Sequence, residues 1–436
     1  MGLYLYTKIW DEAARADRDS DADAATTGDR GEALLSDPGA CAEAIARYQG
    51  GEPVPVFARE WPDLDGIEAK ISLARKKDHI VVIGNGGSIR NVWALYEALS
   101  GAVGGAVRGL HLLDGTDPGG LLGELVSARG RFTQTNTLLV PVSKSGETEN
   151  VVQETKLLVN AGYPALAVIS PGPSKLAALI DGKGLESFLH PAEVGGRFTA
   201  GQNNALLPLA LALGGAEVPR ALDAAFGAAH GRLASETPPG ENMAKALALR
   251  LWRAELAGRT EIFFPIYRRA LSGVGALAVQ LVHESYCKEG RGQTLLFAEG
   301  PESQHHTNQR YFGGRENIAG LSLRVRTSEE DFTLGGGVSA GEFLDLEHAG
   351  VAAEAERRGV PHMVLTLDAL CAEDVASAIA LWQWAAVYGG LLREVNPFDQ
   401  PAVEGSKKAT VKMFEGFGPE TRSRLERYTW DASQIL

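Results

Sequence analysis

The strongest constraint on the fold of this chain is a unit that recurs along it. A short, wholly apolar run is followed by a glycine-containing turn and then by apolar residues at helical spacing. Ile80-Val81-Val82-Ile83 ends in Gly84-Asn85-Gly86-Gly87-Ser88, after which Ile89, Val92, Trp93, Tyr96 and Leu99 recur on a helical face. A strand with no polar alternation is covered on both sides, the mark of a parallel sheet held between helix layers. Residues 110–113, 138–142 and 165–169 are further runs of this kind. Residues 147–159 read as a helix between the last two, closed at Asn160-Ala161-Gly162. A helix-rich span follows over 200–258. The pattern then restarts, with strands at 262–264, 294–297, 321–325 and 363–367 and helices at 273–287 and 375–392. Repetition of this kind predicts an α/β fold with two tandem doubly wound, mostly parallel sheets flanked by helices.

A chain of 436 residues is too long for one ordinary core. The expected division is an N-terminal extension over residues 1–60, a first α/β domain over 61–238 and a second over 239–436, with Pro238-Pro239-Gly240 at the boundary. Residues 11–28 are rich in Asp, Ala and Thr and are expected to be partly mobile, while 39–48 suit a short helix. A final helix starts near Glu404. The longest apolar run, 205–216, is about a dozen residues and is interrupted by Pro208 and Gly214-Gly215, short of the roughly 20 that span a bilayer. No basic and then apolar leader opens the sequence. Cys41, Cys287 and Cys371 form no spaced framework, which fits a reducing compartment, and a cytoplasmic location is expected. A net charge of -13 argues against a general nucleic-acid binder. It leaves room for a small anionic substrate, because local donors set the field of a site.

Two turns have the chemistry of an anion site. Gly84-Asn85-Gly86-Gly87-Ser88 presents backbone N–H groups at a helix start. It lacks the third glycine of a dinucleotide fingerprint, whose place is taken by Ile89, and no Walker lysine follows. Read alone, it is also compatible with a tight turn that binds nothing. Ser143-Lys144-Ser145-Gly146-Glu147-Thr148 sets three hydroxyls and an ammonium between a buried strand and a helix, a composition suited to phosphate. Helix capping by Ser145 or Thr148 accounts for one of those donors. Neighbouring turns at the C-terminal edge of one sheet are where open α/β sheets bind ligands.

Three further groups carry chemistry of other kinds. Arg197 stands in Val194-Gly195-Gly196-Arg197-Phe198-Thr199. Glu284 shares a helical face with Leu277 and Leu281, where burial raises a carboxylate toward the range of a general base. A structural ion pair with Lys288 at i,i+4 is the plainer account of it. His305 and His306 lie in a polar loop, Gln304-His305-His306-Thr307-Asn308-Gln309, where paired histidines are often surface residues or loose metal ligands. His283-Glu284 is followed by Cys287 where a zincin helix needs histidine, so a metal site is the weaker option. Lys407 and Lys408 suit a solvated face, and Asn396-Pro397 suits a helix stop.

Taken together in this order, these segments resemble the phosphoglucose isomerase family over roughly residues 80–408. Gly84 to Ser88 looks like its first glycine turn, and Ser143 to Thr148 like its phosphate loop. Val194-Gly195-Gly196-Arg197-Phe198 resembles its signature, Glu284-Ser285 with Lys288 its Glu-Ser-x-x-Lys segment, and Gln304-His305 its Gln-His pair. Residues 396–407 resemble its C-terminal signature. The resemblance implies two sugar-isomerase (SIS) domains and interconversion of glucose 6-phosphate and fructose 6-phosphate in glycolysis and gluconeogenesis. It implies that Gly87, Ser88, Ser143, Lys144 (through its backbone), Ser145 and Thr148 hold phosphate and that Gln400 lines the sugar site. Glu284 moves the proton between C1 and C2, Arg197 stabilises the enediolate, and His305 with Lys407 opens the ring. It implies no cofactor and no metal, since only protons move. The implied assembly is a homodimer whose histidine comes from the neighbouring subunit, with no nucleic-acid or membrane partner.

Departures from the family pattern are Ile89-Arg90-Asn91 after the first turn, Asn85 in place of an apolar residue, Glu147 where a hydroxyl is common and His306 beside the histidine. Glu147 is expected to point away from the phosphate. These positions keep two rivals open, an isomerase of another phosphosugar such as mannose 6-phosphate and a non-catalytic sugar-phosphate sensor. A nicotinamide-dependent oxidoreductase, suggested by Asp114 at a strand end, is disfavoured by Ile89.

Overall fold

The computed structural model describes residues 2–12, 22–101, 108–127, 130–326 and 331–426. Half of the 11–28 stretch expected to be partly mobile, residues 13–21, lies outside the described residues, and from Ala22 the chain is the helix Ala22–Ser36. A short helix, Pro38–Ala46, follows, capped by the Asp37 side chain.

The strands are β1 (Leu3–Tyr6), β2 (His79–Ile83), β3 (Gly109–Leu113), β4 (Thr137–Ser143), β5 (Leu166–Ile169), β6 (Glu186–Leu189), β7 (Glu261–Ile266), β8 (Thr294–Glu299), β9 (Ile318–Val325) and β10 (His362–Leu367). One five-stranded sheet has the order β3-β2-β4-β5-β6, all parallel. From β2 the chain crosses to β3 on one side and then returns to β4 on the other. The winding therefore reverses at the β2/β4 pair, where a crevice opens beyond the carboxyl ends of the strands. Both hydroxyl-bearing turns, at Gly84 and at Ser143, leave the sheet from this pair.

The other sheet has the order β1-β10-β9-β7-β8. Its four later strands are parallel, and β1 runs antiparallel along β10, with Leu3 opposite Leu367 and Tyr6 opposite Val364. The segment read as an N-terminal extension thus contributes an edge strand that covers β10. The α/β architecture of two mostly parallel sheets matches the sequence pattern.

A continuous apolar core joins the two sheets. The helix Ala372–Leu392 is long and apolar enough to cross a membrane by length and composition, yet it is almost entirely buried, packed on the helices Glu217–Leu233, Met243–Leu256 and Ser272–Tyr286. By contacts, Met1–Phe398 forms one compact unit and Asp399–Leu436 a second. The second unit carries the helices Glu404–Glu415 and Pro419–Glu426.

The helix that follows β2, Gly87–Leu99, packs against the helix that follows β7, Ser272–Tyr286, and the two run in opposite directions. A Cβ on Gly273 would stand 2.7 Å from the Ala94 Cα, and one on Gly86 would stand 3.2 Å from Gln280 Nε2. Gly273 N–H also donates to Glu97 Oε2 at 2.9 Å. The absence of a side chain at Gly273 lets the two helix backbones approach each other. Gly273→Val is expected to destabilise the protein by about 1–3 kcal/mol through overpacking, read as a lower denaturant midpoint. An unchanged midpoint contradicts the close approach.

Candidate active site

The site is built where the first sheet meets the Ser272–Tyr286 helix. At the first turn, Gly86 has φ 54° and sits at the N-cap position of the Gly87–Leu99 helix. Gly87 lies against the Gly196–Arg197 peptide so closely that a Cβ on it would stand 2.1 Å from Gly196 C and 2.6 Å from Arg197 N. Only glycine fits there. Asn91, one turn later and fully buried, clamps the approach by donating to the Gly196 carbonyl (2.8 Å), the Gly87 carbonyl and Thr199 Oγ1 (3.1 Å). Ser88 is half-buried, and its hydroxyl makes no hydrogen bond among the described residues. It remains available to a ligand.

The second turn folds on its own hydroxyls. Ser143 Oγ accepts from Gly146 N–H at 3.1 Å and lies 3.2 Å from Thr148 Oγ1, and Ser145 Oγ accepts from Glu147 N–H at 3.2 Å. Thr148 occupies the N-cap of the helix Glu149–Asn160, but its hydroxyl makes no capping bond. The first N–H groups of that helix therefore lack a side-chain cap, as an anion site requires. Gly146 has φ 65°, and a Cβ there would stand 2.1 Å from Ser174 Oγ. Glu147 turns away from the loop, accepting from the backbone N–H of Lys175 at 2.8 Å. Lys144 Nζ donates to the Val194 carbonyl at 3.2 Å and, with Gln49, Glu193, Gly195 and Phe398, lines a cavity of about 100 Å³.

Arg197 is the centre of the assembly. Its side chain is 1% exposed. Nε donates to Ser285 Oγ (2.9 Å), Nη1 to Glu284 Oε2 (3.1 Å) and Nη2 to the Pro397 carbonyl (2.6 Å). The expected partner of Glu284 was Lys288; the ion pair is instead with Arg197, and the Lys288 ammonium bonds the Asn396 carbonyl. Lys288 lies beyond the end of the helix at Tyr286, so the i,i+4 geometry does not form. Nor is Glu284 fully buried, since its side chain keeps 25% exposure and its Oε1 accepts from Gln280 Nε2 at 2.9 Å.

His305 is not brought to this group within one chain. The Ser272–Tyr286 helix starts at the carboxyl edge of the second sheet, where Ser272 Oγ reaches Glu299 at the end of β8 (3.2 Å). It ends at the opposite edge, where His283 Nε2 accepts from Leu295 N–H at the start of β8 (3.0 Å). Glu284 therefore lies by the amino end of β8 and His305 beyond its carboxyl end, in the short 3₁₀ turn Glu302–His305. The following helix, Thr307–Gly313, packs on the Phe263 face of the sheet, whereas the Glu284 helix covers the Ile262/Phe264 face. His305 is exposed and makes no hydrogen bond among the described residues. His306 is tied to Glu302 (3.0 Å) and Thr307 (2.7 Å).

Gln400 and Lys407 belong to the second compact unit. Gln400 precedes the turn Pro401–Val403, and Lys407 is exposed and pairs with Glu404 at 3.0 Å.

Sequence pattern held no sign of Asn91 or Gln280 as supports, and Ser285, quoted with Glu284 in the Glu-Ser-x-x-Lys segment, proves to accept from Arg197. The carbonyls of Asn396 and Pro397, read as a helix stop, prove to hold Lys288 and Arg197. Behind the first turn lies another unforeseen group, in which the Asn85 and Asn150 side-chain amides pair at 2.7 Å. One helical turn beyond Asn150 sits Glu154, which is 2% exposed. Its oxygens make no hydrogen bond of normal geometry among the described residues. Burial pushes this carboxyl up to about 7, with Asn150 opposing the shift and Asp114 adding to it.

No family model matches the sequence. A glucose-6-phosphate isomerase of Thermus thermophilus is 31% identical over 368 residues, covering 78% of this chain and 84% of that protein. A glucose-6-phosphate isomerase of Rubrobacter xylanophilus is 29% identical over 392 residues, covering 82% of this chain and 89% of its own length. Among solved structures, a glucose-6-phosphate isomerase of Chlamydia trachomatis superposes with a TM-score of 0.72 at 22% identity, over 88% of this chain and 77% of that one, a likeness of fold.

Because the folded pKa of Glu154 is raised above the ordinary 4.5, the protonated form is favoured by folding, and stability falls as pH rises from about 4.5 through about 7. Glu154→Gln is expected to remove that loss, adding on the order of 3 kcal/mol at pH 8 and little at pH 4.5. Denaturant titrations at both pH values check this, and an equal effect at both contradicts it.

Proposed function

The chain belongs to the glucose-6-phosphate isomerase family, and on that premise we propose that it interconverts glucose 6-phosphate and fructose 6-phosphate through a cis-enediolate. The observation that carries this reading is the seam at Gly87. There a phosphate-type turn, a buried guanidinium and a carboxylate with access to solvent meet through Gly196, Arg197, Gln280 and Glu284.

Gly87 and Ser88 with Ser143, Lys144 (through its backbone N–H), Ser145 and Thr148 bind the phosphate at the β2/β4 crevice. Two helix N-termini and four hydroxyls supply the donors, and the Glu147 carboxylate is turned away from them by accepting from the Lys175 N–H. Glu284 takes the proton from C2 of the open-chain aldose. The C–H electrons form the C1–C2 double bond as the C1=O π pair moves onto O1, which takes up a proton; the O2 hydroxyl gives up its proton, C2=O forms from the enediolate, and the same carboxyl returns a proton to C1 to give the ketose. Charge develops on the enediolate oxygens during these steps. Arg197, immobilised and almost fully buried, supplies a fixed positive potential beside them, needing no reorganisation when the charge appears. Aldose–ketose interconversion moves only protons, so the scheme calls for no metal or organic cofactor.

Ring opening is assigned to His305, assisted by Lys407, with Gln400 lining the sugar site. Since His305 stands at the far edge and on the far face of the second sheet from Glu284, it serves the site of a second copy. The proposed assembly is therefore a homodimer with its active sites at the subunit interface.

Glu284→Gln is expected to lower kcat by several orders of magnitude while phosphate-ligand affinity stays near that of the parent. Thr148→Ala is expected mainly to raise KM, since it removes binding common to ground and transition states. Fructose 6-phosphate production with chelator present and no cofactor added is the assay. Parental turnover in Glu284→Gln removes this carboxylate from the mechanism.

A further inference from the structure

We propose that Tyr267 is a positioning residue for ring opening, acting through Gln304 to aim the His305 imidazole out of the subunit that carries it. The proposal rests on the reading of His305 given above. Tyr267 follows β7 directly and is 3% exposed. Its N–H donates to the Leu323 carbonyl at 2.8 Å, which fixes its backbone to β9. The ring is wedged between the edge of His348, with centroids 4.8 Å apart, and Gly300, where a Cβ would stand 3.0 Å from the ring. Burial pushes the phenol up to about 12, so its proton stays in place at any physiological pH.

The Tyr267 hydroxyl accepts from Gln304 Nε2 at 2.9 Å, and the same amide donates to the Glu347 carbonyl at 3.1 Å. Both protons of that NH2 group are used, so the Gln304 side chain has one orientation. Ser303, its neighbour, is fully buried. A 3₁₀ turn has three residues per turn, so successive side chains point about 120° apart. With Ser303 and Gln304 both turned inward, His305 is left to project into solvent. His306 faces elsewhere and is occupied by Glu302 and Thr307.

Behind Tyr267 lies a row of buried, hydrogen-bonded side chains. Ser322 Oγ lies 3.0 Å from His348 Nε2 and 2.7 Å from His362 Nε2, and His362 Nδ1 lies 2.9 Å from the Tyr311 hydroxyl. Burial lowers His348 to about 4 and His362 to about 3, so both rings are neutral near pH 7. Gly320 makes room for this chain of groups, since a Cβ there would stand 2.2 Å from the Tyr311 hydroxyl and 2.3 Å from His362 Nδ1. A histidine that must reach a substrate held by another subunit gains from being presented in one direction, because small misplacements of a reacting group are costly.

In the step concerned, O5 of the pyranose gains a proton from the imidazole, the C1–O5 bond breaks, the C1 hydroxyl loses its proton and the C1 carbonyl forms. Exchange between the α and β anomers of glucose 6-phosphate, followed by NMR on the full-length enzyme, reads this step apart from proton transfer at C2. Tyr267→Phe keeps the ring and removes the hydroxyl. It is expected to slow anomer exchange by between about tenfold and 100-fold, with unchanged affinity for a five-carbon aldonate phosphate that mimics the enediolate. Gln304→Ala is expected to do the same, and the double variant to be no slower than Gln304→Ala alone. Parental exchange in Tyr267→Phe, or losses that multiply in the double variant, overturns the proposal. His305→Ala separates the two levels, since undiminished exchange in that variant overturns the assignment of His305 itself.

Discussion

The arrangement depends on one buried cation. Arg197, which follows the last strand of the first sheet, reaches the Ser272–Tyr286 helix, bonding Ser285 and Glu284, and the Pro397 carbonyl at the end of the first compact unit. A guanidinium almost wholly out of water is tolerable only when its donors are met and an anion is close, and removing such a partner typically costs about 3–5 kcal/mol. The same residue is placed by its backbone, because Gly87 lies directly on the Gly196–Arg197 peptide and Asn91 clamps the contact. The first glycine turn, the cation and the carboxylate are thereby locked into one register by packing that glycine alone allows.

The doubly wound topology explains why this register lies where it does. Reversal of winding at β2/β4 opens a crevice at the carboxyl ends of the strands, where the proposed phosphate site lies. The Gly87–Leu99 helix leaves that crevice and packs on the Glu284 helix, with Gly273 at the closest approach. The second sheet also sends its carboxyl-edge loops away from Glu284, and this separates His305 from its own chain's site. The proposed division of catalytic groups between two copies rests on the direction of β8, which runs from the Glu284 end of the sheet to the His305 end.

Much of this was legible in sequence. Uninterrupted apolar runs marked the central strands of both sheets because strands buried on two faces leave no other pattern. The donor-rich turns were visible for the same reason that they suit phosphate, a concentration of glycine and hydroxyl residues between strand and helix. β1 was not legible, because Leu3-Tyr4-Leu5-Tyr6 becomes a strand only by lying along β10, some 360 residues away in sequence. The partner of Glu284 was misread for a related reason. Lys288 is near in sequence but past the helix end, whereas Arg197 is distant in sequence and adjacent in space. Asn91 and Tyr267 carry no local signal at all, since each acts through a long-range contact.

The central claim is that one working site takes Glu284 from one chain and His305 from another. Mixing Glu284→Gln and His305→Ala proteins under conditions that exchange subunits tests it directly. If the two groups come from different chains, each heterodimer has one intact site and one doubly altered site, and a statistical mixture recovers about one quarter of parental activity from two nearly inactive parents. If the mixture stays as inactive as its components while subunit exchange is verified by native mass spectrometry, the two groups act within a single chain and the account is contradicted.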